Sequence, residues 1–126
     1  MFSHIMLGAN DIKLSKKFYD AVFATLGYGA GHIDDKGRCV YRNDNGVFAI
    51  TKPINGDKAC HGNGSTIGFS ATSVEAVHAW HAAGVANGGT SCEEPPGMRE
   101  TPFGPLCLAY LRDPDGNKLC ALYRQG

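Results

Sequence analysis

The stretch Arg112–Tyr123, RDPDGNKLCALY, constrains this chain more than any other. An apolar run, Leu106–Leu111, enters it and a second, Lys118–Leu122, leaves it. Between them Pro114 has its φ fixed, and Gly116 can take the positive φ that a tight turn demands. Apolar segments on both sides of such a turn predict a hairpin. The residues of its last strand alternate between two faces, so what Cys120 faces bears directly on function.

The chain preceding this hairpin reads as two rounds of one pattern. Phe2–Ala9 is a strand, with His4, Met6 and Gly8 on one face and Ile5, Leu7 and Ala9 on the other. Asn10-Asp11 offers a helix cap. Leu14, Phe18, Val22 and Leu26 follow at four-residue spacing with Tyr19 beside them, a stripe that must be buried. Gly27 stops that helix. Tyr28–Asp35 fits a short strand or a loop. Gly37–Arg42 and Val47–Lys52 read as strands around Asn43-Asp44-Asn45-Gly46, a strong hairpin signal. Pro53–Asn63 is a polar loop. Then Ser65–Ala71 is a strand, and Ser73 caps a helix through Val74, Val77 and Trp80 to Gly84. Gly88–Ser91 is extended, and Glu94–Thr101, with Pro95-Pro96-Gly97, is a loop.

Laying one half over the other pairs His4 with Thr66 and Ile50 with Cys120. A repeat of this length implies two similar units packed together. A mixed sheet with one helix per unit on its outer face is the expected build, an α+β fold. The chain has 126 residues, enough for a single domain over 1–126: module one at about 1–55, a linker at about 56–63 and module two at about 64–126.

Composition excludes more than it selects. Twelve basic and twelve acidic residues cancel without a block of like charge, so neither nucleic acid nor a membrane surface is an expected partner. No apolar run is long enough to span a bilayer. MFSHIML lacks the basic segment and long apolar run of a secretory leader, and none is expected. Cys39, Cys60, Cys92, Cys107 and Cys120 are odd in number and contain no CxxC, which points to free thiols and a reducing, cytoplasmic setting.

With its opening His4-Ile5-Met6-Leu7, the segment from Asn10-Asp11 through Phe18-Tyr19, and above all Asp113-Pro114-Asp115-Gly116-Asn117-Lys118-Leu119, the chain resembles the vicinal oxygen chelate superfamily. That family includes glyoxalase I, bleomycin-resistance proteins and extradiol dioxygenases. The resemblance implies a pair of βαβββ modules whose sheets curl around a cavity, and a homodimer, sometimes with modules exchanged between chains. In metal-dependent members the first and last strand of each module each carry a ligand. Those places here are His4, Ile50 (or Ala49, one register off), Thr66 and Cys120. A divalent ion doing Lewis-acid work needs about three protein ligands and an open position. One imidazole and one soft thiol do not supply them, so no cofactor is expected. A divalent metal held by His4 and unexpected donors, serving a lactoylglutathione-lyase-like isomerase or a dioxygenase, is the alternative.

Strand parity then lists what lines the cavity. His4 brings Phe2 and Met6; Thr66 brings Gly68 and Ser70; Cys120 brings Lys118 and Leu122; Ile50 brings Phe48 and Lys52. This mixed set suits an apolar pocket with a few polar anchors for a small-molecule ligand. His4 and Cys120 are the catalytic candidates, since an imidazole near a thiol favours thiolate. Against this stand a core histidine tied to a carbonyl and a cysteine buried as a small hydrophobe. Thr66, Lys52, Phe48, Ile50, Tyr110 and Arg99 are the ligand-contacting candidates. Tyr41 and Tyr110 also read as strand packing, Lys52 as a rim charge, and Arg99 and His61 as loop residues near a cavity mouth. His78 and His81 share a side of the second helix. The runs Gly27–Gly31 and Gly88-Gly89 do not match a phosphate-binding fingerprint. A metal-independent binder or low-activity enzyme is the first reading; a metal-dependent enzyme and an interaction protein with a filled cavity are the others.

Overall fold

The structure, a computed structural model, describes residues 1–125. Its first half runs β1 (His4–Gly8), α1 (Ile12–Ala24), β2 (His32–Ile33), β3 (Cys39–Asn43) and β4 (Gly46–Thr51). The second half repeats the plan as β5 (Ile67–Ser70), α2 (Val74–Ala86), β6 (Thr90–Ser91), β7 (Gly97–Thr101), β8 (Gly104–Arg112) and β9 (Lys118–Arg124). Two curled sheets result, in the orders β1-β4-β3-β2 and β5-β9-β8-β6, with β7 also paired to β8. In each, the strand that opens the module runs parallel to the strand that closes it. The build is α+β, two modules whose sheets curl but do not close.

Local chemistry accounts for the helices. The Asp11 carboxylate accepts from the Leu14 N–H, and the Ser73 hydroxyl accepts from the Ala76 N–H, each satisfying a donor that a helix start leaves free. Gly27, at φ 86°, ends the first helix region as expected. The buried stripe of α1 is Ser15, Phe18, Tyr19, Val22 and Phe23. Leu14, expected in that stripe, is 46% exposed. Its place is taken by Ser15, whose hydroxyl donates to Asp115 Oδ2 at 3.1 Å. The α2 helix passes through Gly84 to Ala86 instead of stopping there. A Cβ at Gly84 would meet Leu111 Cδ1 at 2.3 Å, so this glycine is a packing residue that lets the helix lie close to β8.

The segment Glu94–Thr101, expected as a loop, contains β7, which brings Arg99 onto a strand. Met98-Arg99-Glu100-Thr101 has no apolar alternation to betray it. Pairing with the first half of β8, from Gly97 opposite Leu108 to Thr101 opposite Gly104, imposes the extended form. One core serves both modules. Phe18, Tyr19, Val22 and Phe23 of α1 and Val77 and Trp80 of α2 meet Ile50, Leu111, Leu119 and Ala121 from the two sheets.

The turn between β8 and β9 bolts the modules together. Asp113 is buried and accepts four hydrogen bonds, from the Tyr19 hydroxyl at 2.5 Å, the N–H groups of Asp115 and Asn117, and Asn117 Nδ2. Asn117 Nδ2 also donates to the Gly8 carbonyl, and Asp115 Oδ1 accepts from the Asn10 N–H. Burial and the Asp113 carboxylate drive the Tyr19 hydroxyl well above its ordinary pKa, so it stays a donor at every working pH.

Asp113→Ala is expected to destabilise the protein by about 2–4 kcal/mol, because it strands buried donors. Tyr19→Phe should cost about 1–2 kcal/mol, and the double variant less than the sum of the two, as read from urea unfolding. Gly84→Ala should cost about 1–3 kcal/mol through overpacking, although alanine ordinarily favours a helix interior by about 1 kcal/mol.

Candidate functional site

Strand register sorts the candidate residues by face. Across the first sheet His4 lies beside Val47, Met6 beside Ala49, Ala49 beside Val40, and Val47 beside Arg42. These share the open face. Ile5, Leu7, Phe48, Ile50, Cys39 and Tyr41 turn toward α1. Ile50 is fully buried in the core and cannot contact a ligand on the open face. Phe48 packs on Tyr19 and Phe23. The residue matching Cys120 is therefore Ala49 and not Ile50. Counting from the turn glycines misplaces it by one, because Gly46 is already paired in β4 while Gly116 still lies in the turn. Lys52 lies beyond the end of β4, in a separate polar hollow with Lys13 and Lys36.

In the second sheet Gly68 lies beside Cys120 and Cys120 beside Tyr110, all on the open face, as parity predicts. Thr66 is exposed just ahead of β5. Cys120 is buried, and burial pushes its thiol up to about 11 against the pull of a hydrogen bond from Tyr110. Lys118 Nζ sits 5.1 Å from the centre of the Tyr110 ring and pairs with Glu93, the one non-glycine residue described at positive φ. Arg99 pairs with Glu94 and donates to the Pro95 carbonyl at 2.6 Å. His61 lies against Gly116. On α2, His81 Nε2 lies 2.9 Å from Ser91 Oγ, and burial followed by His78 lowers its pKa.

His4 is exposed, and its Nδ1 lies 2.8 Å from Ser3 Oγ. No hydrogen bond joins it to Cys120, so the imidazole does not promote a thiolate there. With the thiol held protonated by its surroundings, this pair lacks the geometry of a nucleophile and its base.

What the structure does assemble is a cleft of about 520 Å³ where β1 and β5 face each other between the modules. Its floor is aromatic. Phe23, Phe48 and Phe69 stand mutually edge-on, with centroids 5.3 Å apart for Phe23–Phe48, 5.1 Å for Phe23–Phe69 and 5.7 Å for Phe48–Phe69. Its polar groups include His4, Arg42 and Ser70. Tyr41 forms part of the wall, its hydroxyl donating to Asp20 Oδ1 at 2.7 Å. Burial opposes the Asp20 charge, but bonds from the Gly31 N–H, Lys16 and Tyr41 outweigh it and hold the carboxyl below its usual pKa. Of the ligand-contacting candidates Phe48 lines this cleft, as does the catalytic candidate His4; Cys120, Thr66, Lys52, Tyr110, Ile50 and Arg99 do not. Arg42 and Phe69, which the sequence does not single out, also line the cleft. The signal for Arg42 was its place just before the Asn43–Gly46 turn, but only the β1–β4 pairing puts it in line with His4.

Residues 1–121 match the family model of the Glyoxalase/Bleomycin resistance protein/Dioxygenase superfamily. A solved glyoxalase/bleomycin resistance protein from Albidiferax ferrireducens T118 is 62% identical, with a TM-score of 0.95 over 98% of this chain and 99% of that one. A glyoxalase-related enzyme from Fulvimarina pelagi shares the fold at 21% identity and a TM-score of 0.75, over 98% of this chain and 88% of that one. A lactoylglutathione lyase from Agrobacterium tumefaciens does so at 19% identity and 0.66, over 98% and 92%. Among curated proteins none matches. By the match to its family model and its likeness to the Albidiferax protein, the chain belongs to the glyoxalase/bleomycin resistance protein/dioxygenase superfamily.

Proposed function

We propose that this chain is a small-molecule-binding protein of the glyoxalase/bleomycin-resistance type that works without the family's metal centre, its ligand seated in the cleft between β1 and β5. The observation that carries this reading is the cleft itself. A space of about 520 Å³ with a three-phenyl floor and a few polar groups is the chemistry of a small-molecule site.

The donor set does not fit a divalent ion. The family's four ligand places fall here on His4, Ala49, Thr66 and Cys120. Ala49 has no donor atom, Thr66 offers a neutral hydroxyl, and Cys120 puts a soft thiol where the family's metal enzymes use a carboxylate. Among the described residues no three His, Cys, Asp or Glu side chains are grouped to hold a metal. A homodimer, sometimes formed in this family by exchange of modules, belongs with this reading.

Elemental analysis of protein purified without chelator should find no stoichiometric zinc, nickel, iron or manganese, and EDTA should leave Tm unchanged. One equivalent of metal, lost in His4→Ala, would overturn the metal-free reading. A ligand found by thermal-shift screening should add about 2.7 kcal/mol of stability at a hundredfold excess over Kd. Gly68→Leu should abolish that gain while the free protein keeps its Tm, because a Cβ at Gly68 meets open space at the cleft. For Cys120 the sign is plain: a raised pKa keeps the thiol protonated at neutral pH, and thiolate appears only as pH climbs toward about 11. A disulfide reagent at pH 7.5 should therefore label the exposed Cys60 well before Cys120; equal rates would contradict the assignment.

A further inference from the structure

We infer that the cleft selects an anionic ligand, a compound with an aromatic or apolar body and an oxyanion head, and that Arg42 is the residue that recognises the head. The inference rests on the reading of the cleft as the ligand site and goes on to name its ligand class.

Three observations carry it. First, the five arginines are not alike. Arg38 pairs with Asp34 and Arg99 with Glu94, Arg112 donates to the Gly116 carbonyl, and Arg124 donates to the Phe103 carbonyl. Arg42 alone engages no acceptor among the described residues, and it is the one that lines the cleft. A guanidinium is always charged and presents a fork of donors matched to a carboxylate or phosphate.

Second, charge at the cleft is one-sided. The chain as a whole is neutral, with twelve acidic residues against twelve basic. Yet no aspartate or glutamate lines the cleft, while Arg42 does, beside neutral Asn43 and Asn45. The acid nearest in sequence, Asp44, stands exposed at the tip of the hairpin and outside the lining. An anion entering here meets no like charge among the lining residues, and the exposed Arg42 guanidinium attracts it.

Third, the polar and apolar parts are separated as such a ligand needs. Arg42, Val47 and His4 lie in one row across β3, β4 and β1 on the open face, and His4 is oriented by Ser3. The phenyl groups line the same cleft from the other face of that sheet, the side toward α1, with Phe23 and Phe48 buried and Phe69 partly buried. A ligand whose ring rests on them meets the row at the His4 end, where residues of both faces line the cleft.

The test uses the full chain and three probes of one size: phenylacetate, phenyl phosphate and neutral phenylacetamide. Calorimetric titration should find an anionic probe binding at least about tenfold tighter than the amide, a preference that shrinks with added salt. Which of the two anions binds tighter identifies the head group as carboxylate or phosphate. Arg42→Ala should erase the preference at unchanged Tm, and Arg42→Lys should restore only part of it, since the fork is lost and the charge kept. Equal binding of amide and acids, or a preference that survives Arg42→Ala, overturns the inference and leaves the binding site standing if Gly68→Leu still blocks it. Failure of all three probes at millimolar concentration overturns the inference and the cleft reading together.

Discussion

The join between the two modules centres on one buried carboxylate. Asp113 sits in the turn that joins the last two strands, yet its strongest partner is the Tyr19 hydroxyl on the first helix, 2.5 Å away. A buried charge is costly unless it is surrounded by donors, and here four donors surround it. That requirement locks the turn's shape and its location at once. Because Asp115 and Asn117 of the same turn hold Asn10, Ser15 and the Gly8 carbonyl, the end of the second module is fastened to the beginning of the first. The mutual bonds between Asn10 and Ala59 tie the intervening loop to the same corner.

The cleft follows from this fastening. With the modules joined at the Gly8 end of β1, the two opening strands face one another, and the aromatic core comes near the surface at the His4 end. The phenyl groups of Phe23, Phe48 and Phe69 are core residues first. They form the floor of a cleft only because the sheets curl without closing over them. The second sheet's open face has a different character. Cys120, Tyr110, Lys118 and Glu93 satisfy one another there, which leaves little chemistry free for a ligand.

Much of this was legible from the residues. The DPDGN turn, the caps at Asp11 and Ser73 and the repeated order of elements all carry local signals strong enough to survive tertiary context. Parity serves for β1, where His4 and Met6 alternate with Ile5 and Leu7, and for β9, where Lys118 marks the face that Cys120 shares. It failed for β4, where Val47, Phe48, Ala49 and Ile50 are all apolar and give no period to choose a face. There the register had to be borrowed from the turn, and the two turns differ in where their glycine stands relative to the strand. The β7 strand was illegible for the opposite reason: its polar residues are extended only because β8 offers them partners. Arg42 is not singled out by its sequence because its place in line with His4 depends on β1 lying beside β4, a parallel pairing that no local pattern announces.

The central claim is that the ligand sits at the seam between β1 and β5, and amide chemical-shift mapping tests it most directly. Titrating phenylacetate into isotope-labelled protein should move amides of Ser3–Ile5, Arg42–Phe48 and Ile67–Ser70 and leave Asp113–Asn117 still. Shifts centred instead on Tyr110, Lys118 and Cys120, with the β1–β5 seam unmoved, would place the site on the second sheet's open face and contradict the account.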